Sequence, residues 1–509
     1  MRPIARGHGR WRLVGGLVTG TIALAVLAGA IDVPDLDAEA PKSPHETLTI
    51  GAATKAPAIH PGFLGLSLEY RTVEAYAGTD PAALDPVFLQ LVRNINPNQR
   101  PMIRVGGDST DWAWWPTASV RRPSGIRIDL TPQWLGVTHA LATALNAKVM
   151  LGINLEANNA KLAAAEADAF VGGIGTNRVE ALELGNEPEL YHSFGWYDNA
   201  KGHKVPGRPA NWNFHRYLAD YAKIERSLPR VTLAGPAIGS PNWLAQVGSF
   251  AKAQRKVRVL TVHRYAIAHC FRGPSSRGPS IAELLAPEAS SNLAKTTVPL
   301  VAAAHDHRDS IRVDEINTVS CGGQLGVSNA FASALWTVDA LFAMARAGVD
   351  GVNLHTFSGA AYELFAFKPA AGVWTAFVKP QYYGMLLFAQ AAPPGSRLLR
   401  VSGASGPVRA WATRAPDQRT RIVLINDDPW HSRSLTVRVP GKTGAAAVER
   451  LLAPSLGATA GVTLGGQSFG AATATGQLAG TQQMTAIEPG GGAYTVLLPA
   501  GSAALLTLR

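Results

Sequence analysis

Residues 148–156 have the sequence KVMLGINLE, and residues 179–187 have the sequence VEALELGNE. Both are largely apolar without strict alternation, which is typical of strands buried on both faces of a sheet. Both also end in a Gly- or Asn-containing turn with a glutamate. Similar runs occur at 63–70, 102–109, 231–239, 257–265, 310–316 and 351–357.

Helical patterns rich in Ala and Leu separate these runs, among them ASALWTVDALFAMARAG at 332–348. Eight strands alternating with helices over about 300 residues predict an α/β fold of the (β/α)8 TIM-barrel type. A doubly wound sheet is the alternative, but no GxGxxG motif opens the chain to support it. We therefore predict a barrel over 59–390.

The pattern changes after residue 390. Short strand-like runs separated by Gly, Pro and Ser turns, without helix-length patterns, predict a C-terminal antiparallel β-sandwich over 391–509. The stretch ETLTIGAA at 46–53 alternates like a strand. We expect the segment 46–58 to pair with the C-terminal domain rather than with the barrel.

Composition excludes several classes of protein. Of 509 residues 47% are hydrophobic and 16% charged, which excludes a wholly disordered chain. Two cysteines are too few for a disulfide framework or a four-thiolate zinc site. The net charge of +11 comes without a dense Lys/Arg run or a recognition motif, so a nucleic-acid partner is not predicted.

The N-terminus has the pattern of an export segment. Arginines cluster in the first twelve residues, and residues 13–31 carry no charge. We interpret 1–31 as a signal peptide, with an uncleaved membrane anchor as the alternative, followed by a linker at 32–45. The rest of the chain is then extracytoplasmic, either secreted or anchored, and contacts the membrane only through an uncleaved leader.

Carboxylates follow two of the predicted strands at the end where barrels carry their active sites. Strand four ends in Asn186-Glu187-Pro188, and strand seven contains Asp314-Glu315. Two carboxylates across one pocket are what glycoside hydrolysis requires, and Asn186 can bond a sugar hydroxyl beside the anomeric carbon. This chemistry needs no metal and no organic cofactor.

Four motifs together resemble glycoside hydrolase family 79, the family of heparanase and microbial β-glucuronidases. They are RVGGDSTDW (104–112), ELGNEPELY (183–191), TVHRYAIAHC (261–270) and EINTVSCGG (315–323). The resemblance implies a retaining double displacement with Glu187 as acid/base and Glu315 as nucleophile, their carboxylates ~5–5.5 Å apart. It also implies that Tyr265 hydrogen-bonds the nucleophile.

Further positions are candidates for binding the sugar. Strand ends supply Glu69, Asp108 and His263, and the resemblance adds Ser320, Gly322 and Tyr362. Ser320 stands where glucuronate-specific members of the family have a tyrosine. We expect exo action on a terminal β-linked uronic acid. The alternatives are a β-glucosidase or β-xylosidase of the same fold and a non-catalytic carbohydrate-binding surface protein.

Nearby charged residues receive structural interpretations. Arg104 is expected to pair with Glu183 or another barrel acid. Asp314 alternates with Glu315 along the strand and is expected to point toward the helical layer or a salt bridge. Glu189 follows Pro188 and is expected to be solvated or to lie at the substrate rim.

Cys270 and Cys321 follow strands six and seven, which are neighbours in the predicted barrel. In an exported protein a disulfide can persist. We predict that these cysteines form one, joining two loops at the rim of the site and contributing ~4 kcal/mol in the chain-entropy model.

Overall fold

The computed structural model describes residues 46–270, 278–370 and 373–509. The predictions of a signal segment at 1–31 and a linker at 32–45 lie outside these residues. None of the helices within the described ranges combines the length and the apolar character needed to cross a bilayer.

Eight parallel strands close into a barrel in which each strand pairs with the next along the chain and the last pairs with the first. The strands are Leu64–Glu69, Met102–Gly106, Lys148–Ile153, Val179–Leu184, Leu233–Ile238, Val257–Ile267, Ser310–Val319 and Gly351–Thr356. We number them one to eight. All eight predicted strands are present, and the predicted barrel is confirmed.

Helices surround the barrel. They span Tyr70–Ala77, Pro86–Ile95, Pro132–Ala144, Ala160–Ile174, Phe214–Glu225, Pro241–Leu244, Val247–Ala253, Ile281–Leu284, Ser291–Lys295, Val298–Asp306, Ala332–Ala347 and Pro380–Ala391. Helix Pro86–Ile95 shows how the sequence defines such an element. The Asp85 side chain caps it by accepting a hydrogen bond from the Val87 N–H, proline occupies its first position, and one apolar face is buried.

Small two-stranded sheets extend three loops on the carboxyl-end face of the barrel, after strands two, four and eight. They pair Ala113–Trp114 with Ile128–Asp129, Gly195–Asp198 with Lys204–Pro206, and Phe365–Ala370 with Val373–Val378. Short 3-10 turns span Asp108–Thr110, Pro188–Leu190 and Pro287–Ala289.

The described C-terminal residues form a ten-stranded sheet that encloses its own apolar core. Its strands are Glu46–Ala53, Arg397–Ser402, Val408–Arg414, Thr420–Asn426, Arg433–Arg438, Ala446–Leu452, Thr463–Leu464, Thr485–Ile487, Ala493–Leu498 and Ser502–Leu508. Glu46–Ala53 pairs antiparallel with Arg397–Ser402 and parallel with Arg433–Arg438. The N-terminal strand thus belongs to this sheet.

Helix Ala332–Ala347 joins the two parts of the fold. Every residue from 332 to 345 is buried, which explains why this helix is apolar on all sides. Trp411 of the sheet stacks on Phe342 at 5.5 Å, and its indole N–H donates to Asp339 at 2.7 Å. Barrel and sheet therefore share a continuous core, which also contains Val423 and Leu505.

Candidate active site

The turn after strand four carries Glu187 to the mouth of the barrel. Gly185 has φ +78°, and a Cβ there would lie 2.3 Å from the Tyr191 hydroxyl, so only glycine fits. Glu187 itself has φ +44° and ψ +53°, a left-handed conformation that glutamate seldom adopts. Its side chain is 24% exposed at the carboxyl end of the barrel.

A β-bulge in strand seven brings two adjacent acids into the barrel. Thr261 pairs with Arg312 and His263 with Glu315, so strand seven has one residue more than strand six over this interval. The same extra residue appears against strand eight. Asp314 was expected to point toward the helical layer or a salt bridge. The salt bridge is present, because Arg104 Nε lies 3.0 Å from Asp314, but the bulge interrupts the alternation of side chains and Asp314 points into the barrel rather than toward the helical layer.

The two candidate catalytic carboxylates face each other. One carboxylate oxygen of Glu187, one of Glu315 and one ring nitrogen of His263 all lie within 4.8 Å of one another. Inverting glycosidases hold their carboxylates ~6.5–9.5 Å apart to admit a water molecule, whereas retaining enzymes hold them ~5–5.5 Å apart. An approach of two carboxylate oxygens to within 4.8 Å is shorter than the separation of an inverting pair.

Glu315 is surrounded by donors. Oε1 accepts a hydrogen bond from the Tyr265 hydroxyl at 2.8 Å, and Oε2 accepts one from Arg104 Nη1 at 2.6 Å. Burial alone would raise the pKa of Glu315, but His355, His263, Arg104 and the tyrosine hydroxyl together hold it well below its usual range. Glu315 is therefore a carboxylate at neutral pH.

Arg104 forms the centre of a buried charge cluster beneath the site. Its Nε lies 2.8 Å from Glu183 and 3.0 Å from Asp314, and its side chain is fully buried. The predicted pairing of Arg104 with Glu183 is confirmed. Burial raises the pKa of Glu183 to about 7 against the opposing charge of Arg104, so this acid is partly protonated at neutral pH.

His263 lies in the floor of the site. Its side chain is only 1% exposed, Nδ1 lies 2.9 Å from Glu187 Oε1, and Nε2 lies 3.3 Å from Arg104 Nη2. Its predicted role in substrate binding stays a prediction. In the structure the imidazole lies between Glu187 and the Arg104 cluster.

Asn186 links the strand-four turn to both the floor and the wall of the site. Its Oδ1 accepts from Arg104 Nη2 at 2.9 Å, and its Nδ2 donates to Asp108 Oδ1 at 3.3 Å. The amide is thus oriented by partners on either side.

Glu69 and Asp108 form one wall. Glu69 accepts backbone hydrogen bonds from Asp108 at 3.1 Å and Ser109 at 2.8 Å, in a turn where a Cβ on Gly107 would lie 2.2 Å from Glu69 Oε1. Asp108 opens to the cleft. Limited hydration of this concave wall and the charges of Glu69, Glu187 and Glu315 raise the pKa of Asp108 to about 8.

The loops after strands seven and eight carry Ser320, Gly322 and Tyr362. The Tyr362 hydroxyl lies 3.4 Å from that of Tyr265, while Ser320 Oγ accepts the His269 N–H at 2.9 Å. Gly322 has φ +82°, and a Cβ there would meet no other atom within 4 Å, so open space adjoins this backbone.

The predicted disulfide between Cys270 and Cys321 is present, with the two Cα atoms 5.6 Å apart. It joins the loops after strands six and seven, next to Ser320. It therefore restrains the rim of the site at these loops.

Sequence reasoning missed two buried carboxylates near the strand-four turn. Glu189 was expected at the surface but is only 4% exposed, because it accepts the N–H groups of Gly239 and Ser240. Asp111 is 3% exposed and accepts hydrogen bonds from the loops after strands three and four. Both lie inside quoted motifs, Asp111 in RVGGDSTDW and Glu189 in ELGNEPELY, but these motifs do not indicate the remote groups that the two acids bind. Only the meeting of separate loops defines their roles.

The cluster of Glu187, His263 and Glu315 has the ligand types of a metal site. Its electrostatics disfavour a cation, however. The Arg104 guanidinium lies 2.6 Å from Glu315, and the ring nitrogens of His263 already face Glu187 and Arg104. The donors instead prepare the two carboxylates for acid–base and nucleophilic chemistry.

Comparisons with known proteins show which families and proteins the chain is similar to. Residues 410–505 match the family model described as the glycosyl hydrolase family 79 C-terminal beta domain. A β-glucuronidase of Aspergillus niger is 24% identical over 519 residues, covering 89% of this chain and 91% of that protein. The chain is a glycoside hydrolase, and it is similar to proteins of family 79. Its substrate is accordingly a carbohydrate.

Other relatives of this hydrolase support the same fold. A β-glucuronidase of Neurospora crassa is 23% identical over 414 residues, covering 72% of this chain and 71% of that protein. A 4-O-α-L-rhamnosyl-β-D-glucuronidase structure from Fusarium oxysporum superposes with a TM-score of 0.70 at 19% identity, covering 91% of this chain and all of that one. A family 51 arabinofuranosidase structure from Xanthomonas axonopodis superposes with a TM-score of 0.61 at 15% identity, with 91% of this chain and all of that one covered.

Proposed function

We propose that this hydrolase is a retaining exo-β-glycosidase that removes a terminal β-linked glucuronic acid. The observation that carries the proposal is the spacing of the carboxylates of Glu187 and Glu315 at the ends of strands four and seven. The two relatives named as β-glucuronidases support the choice of sugar.

In the first step Glu315 attacks the anomeric carbon while the bond to the leaving oxygen breaks. Glu187 gives its proton to that oxygen, and a glycosyl ester forms on Glu315. In the second step Glu187 takes a proton from water, the resulting hydroxide attacks the anomeric carbon, and Glu315 departs as a carboxylate. The sugar is released with its original anomeric configuration.

The surroundings of Glu315 support its role as nucleophile. Tyr265 and Arg104 hydrogen-bond one oxygen each, which orients the group and keeps it ionised. Asn186 lies beside the acid/base with its Nδ2 toward the cleft wall, where it can meet the 2-hydroxyl of the sugar. Glu69 and Asp108 on that wall are our candidates for accepting the other hydroxyl protons.

For the uronate carboxylate we propose a site made of neutral donors. The Tyr362 and Ser320 hydroxyls and the open backbone at Gly322 lie on the loops after strands seven and eight. Hydroxyl and backbone N–H groups can donate hydrogen bonds to a carboxylate without adding charge to the site. An extracytoplasmic location, supported by the Cys270–Cys321 disulfide, completes the proposal.

A neutral sugar is the second candidate. Ser320 is shorter than tyrosine, and its Oγ already accepts the His269 N–H. A panel of nitrophenyl glycosides separates the candidates, with NMR analysis of the product reporting sugar identity and anomeric configuration together. Hydrolysis of the glucoside but not the glucuronide would remove the uronate proposal, and inversion would remove the double displacement.

We expect Glu315→Ala to abolish turnover while the protein remains folded, because no other group replaces the nucleophile. Circular dichroism and thermal unfolding check the fold, and release of nitrophenol measures the activity. Wild-type rates in Glu315→Ala would contradict the assignment of the nucleophile.

A further inference from the structure

Glu187 has a left-handed backbone conformation that is rare for residues other than glycine. A non-glycine residue at φ +44° persists only when the surrounding structure imposes that conformation. The turn from Gly185 to Tyr191 is short and exposes part of the Glu187 side chain. Contacts outside the turn must therefore hold it.

Asp111 holds the turn from the side of strands two and three. Its Oδ2 accepts hydrogen bonds from the Asn186 N–H at 3.0 Å and from the Tyr191 hydroxyl at 2.7 Å. Its Oδ1 accepts the N–H groups of Leu155 at 2.9 Å and Glu156 at 3.0 Å. One carboxylate from the strand-two loop thereby joins the loops after strands three and four.

Glu189 holds the same turn from the side of strand five. Its Oε1 accepts the N–H groups of Gly239 at 2.6 Å and Ser240 at 2.8 Å, just after strand five. The Glu187 N–H also donates to the Ala237 carbonyl at 2.9 Å. Glu187 is thus flanked by two points of attachment on different barrel strands.

We propose that Asp111 and Glu189 are positioning residues, a pair of buried carboxylates that clamp the acid/base turn from both sides and set the direction of the Glu187 side chain. The inference rests on the proposed acid/base role of Glu187. Both side chains are buried, and their hydrogen-bonded oxygens accept from backbone N–H groups and from the Tyr191 hydroxyl. They act through the backbone of the turn.

The two clamps differ in how they use their oxygens, which gives distinct predictions for amide variants. Glu189 accepts through Oε1 alone, and Oε2 has no hydrogen-bond partner among the described residues. Glutamine retains that acceptor, so Glu189→Gln should keep the clamp while Glu189→Ala breaks it. Asp111 accepts through both oxygens, so Asp111→Asn sets an NH2 group against donors and breaks one pair of bonds.

The charge of Glu189 contributes little to the comparison of the wild type with its alanine and glutamine variants. Burial and the nearby charge of Glu187 raise the pKa of Glu189 to about 7. Below neutral pH the group is mostly protonated, as neutral as the glutamine that replaces it. A difference between the alanine and glutamine variants then reports geometry.

The test compares kcat/KM for two substrates of the same sugar, a methyl glycoside and a 2,4-dinitrophenyl glycoside. Departure of methanol needs the proton from the acid, whereas dinitrophenolate leaves without it. If Glu187 is displaced in Asp111→Asn and Glu189→Ala, kcat/KM for the methyl glycoside should fall about 10- to 100-fold in both variants. On the dinitrophenyl glycoside the loss should stay below about 3-fold, and Glu189→Gln should resemble the wild type on both.

Two further variants calibrate the result. Glu187→Ala supplies the pattern expected when the acid is lost. Glu166→Gln is the matched control, because Glu166 is another buried carboxylate that accepts a backbone N–H, from Asn154 at 3.0 Å, but it does not touch the turn. Glu166→Gln should change kcat/KM for both substrates by the same factor. Thermal unfolding shows which variants fold, and Glu189→Ala carries the test if Asp111→Asn does not.

The outcomes distinguish the acid/base role of Glu187 from the clamp formed by Asp111 and Glu189. Equal losses on both substrates in Glu187→Ala would overturn the proposed acid/base role itself. A selective loss in Glu187→Ala, with equal losses in Glu189→Ala and Asp111→Asn, would leave that role intact and overturn the clamp. A selective loss in all three, with Glu189→Gln unaffected, supports it.

Discussion

At the scale of single residues, each cationic side chain of the site interacts with several carboxylates. Arg104 faces Glu183, Asp314 and Glu315 in the barrel interior. The charges of His355, His263 and Arg104 lower the pKa of Glu315 and keep it ionised, while burial raises the pKa of Glu183 to about 7 and leaves it partly protonated at neutral pH. Neighbouring acids thus acquire different protonation states from their environments.

The variant Tyr265→Phe tests whether neighbouring groups set the protonation state of Glu315. Tyr265→Phe removes the hydroxyl that lies 2.8 Å from Glu315 and helps hold its pKa down. The pKa of Glu315 should therefore rise, and the acidic limb of the kcat/KM profile should move to higher pH. Activity at the optimum should fall about 100- to 1000-fold, in the range of a lost charge-stabilising donor. A pH–rate profile measures both effects, and an unshifted acidic limb would show that the hydroxyl does not control the nucleophile.

At the scale of elements, short irregularities place the chemistry. The bulge in strand seven turns both Asp314 and Glu315 inward, and the turn after strand four holds Glu187 in a left-handed conformation. A regular strand would have sent one of the two acids outward. The closed barrel provides the frame, and these departures from regularity direct the side chains.

The disulfide between the loops after strands six and seven provides a prediction at this scale. Its cysteines are 51 residues apart, so the double variant Cys270→Ser/Cys321→Ser should lose about 2–4 kcal/mol of stability. Denaturant unfolding of the variant and of the reduced parent measures the loss. Identical midpoints for oxidised parent, reduced parent and variant would mean that the bridge stabilises nothing.

At the scale of the whole molecule, the C-terminal sheet is part of the barrel's own core. Trp411 and Val423 of the sheet belong to the same apolar cluster as the barrel helices, and helix Ala332–Ala347 is buried between them. Two acids face each other across this junction, Asp339 on the helix and Asp427 on the sheet. Unfolding of sheet and barrel should therefore be coupled and sensitive to pH.

Burial and the charge of Asp339 raise the pKa of Asp427 to about 8, only partly offset by Arg409. In the unfolded chain this group titrates near pH ~4. Between these values the folded state keeps a proton that the unfolded state releases, so stability falls as pH rises from about 4 to 8. Asp427→Asn should remove this pH-dependent loss of stability, because asparagine does not titrate.

We expect Asp427→Asn to match the parent near pH 4 and to be more stable by about 1–3 kcal/mol at pH 8. Denaturant unfolding across this pH range measures the difference. The same free-energy difference at both pH values would show that Asp427 does not titrate at the junction.

Periodicity and local pattern determined much of this protein without any tertiary information. Runs of apolar residues ending in Gly, Asn or Glu predicted all eight barrel strands, because a strand buried on both faces must be apolar throughout. The strand ends predicted the carboxylates Glu187 and Glu315 and the disulfide between neighbouring loops. These are properties of sequence order, since each barrel strand pairs with the next.

Tertiary structure alone decided how side chains from distant strands meet. The inward turn of Asp314, the burial of His263, and the attachment of Glu189 and Asp111 to other loops each depend on a bulge, a left-handed residue or a hydrogen bond between separate strands. Such features arise from packing that satisfies buried polar groups across the barrel. No local pattern in the chain records which remote group will satisfy them.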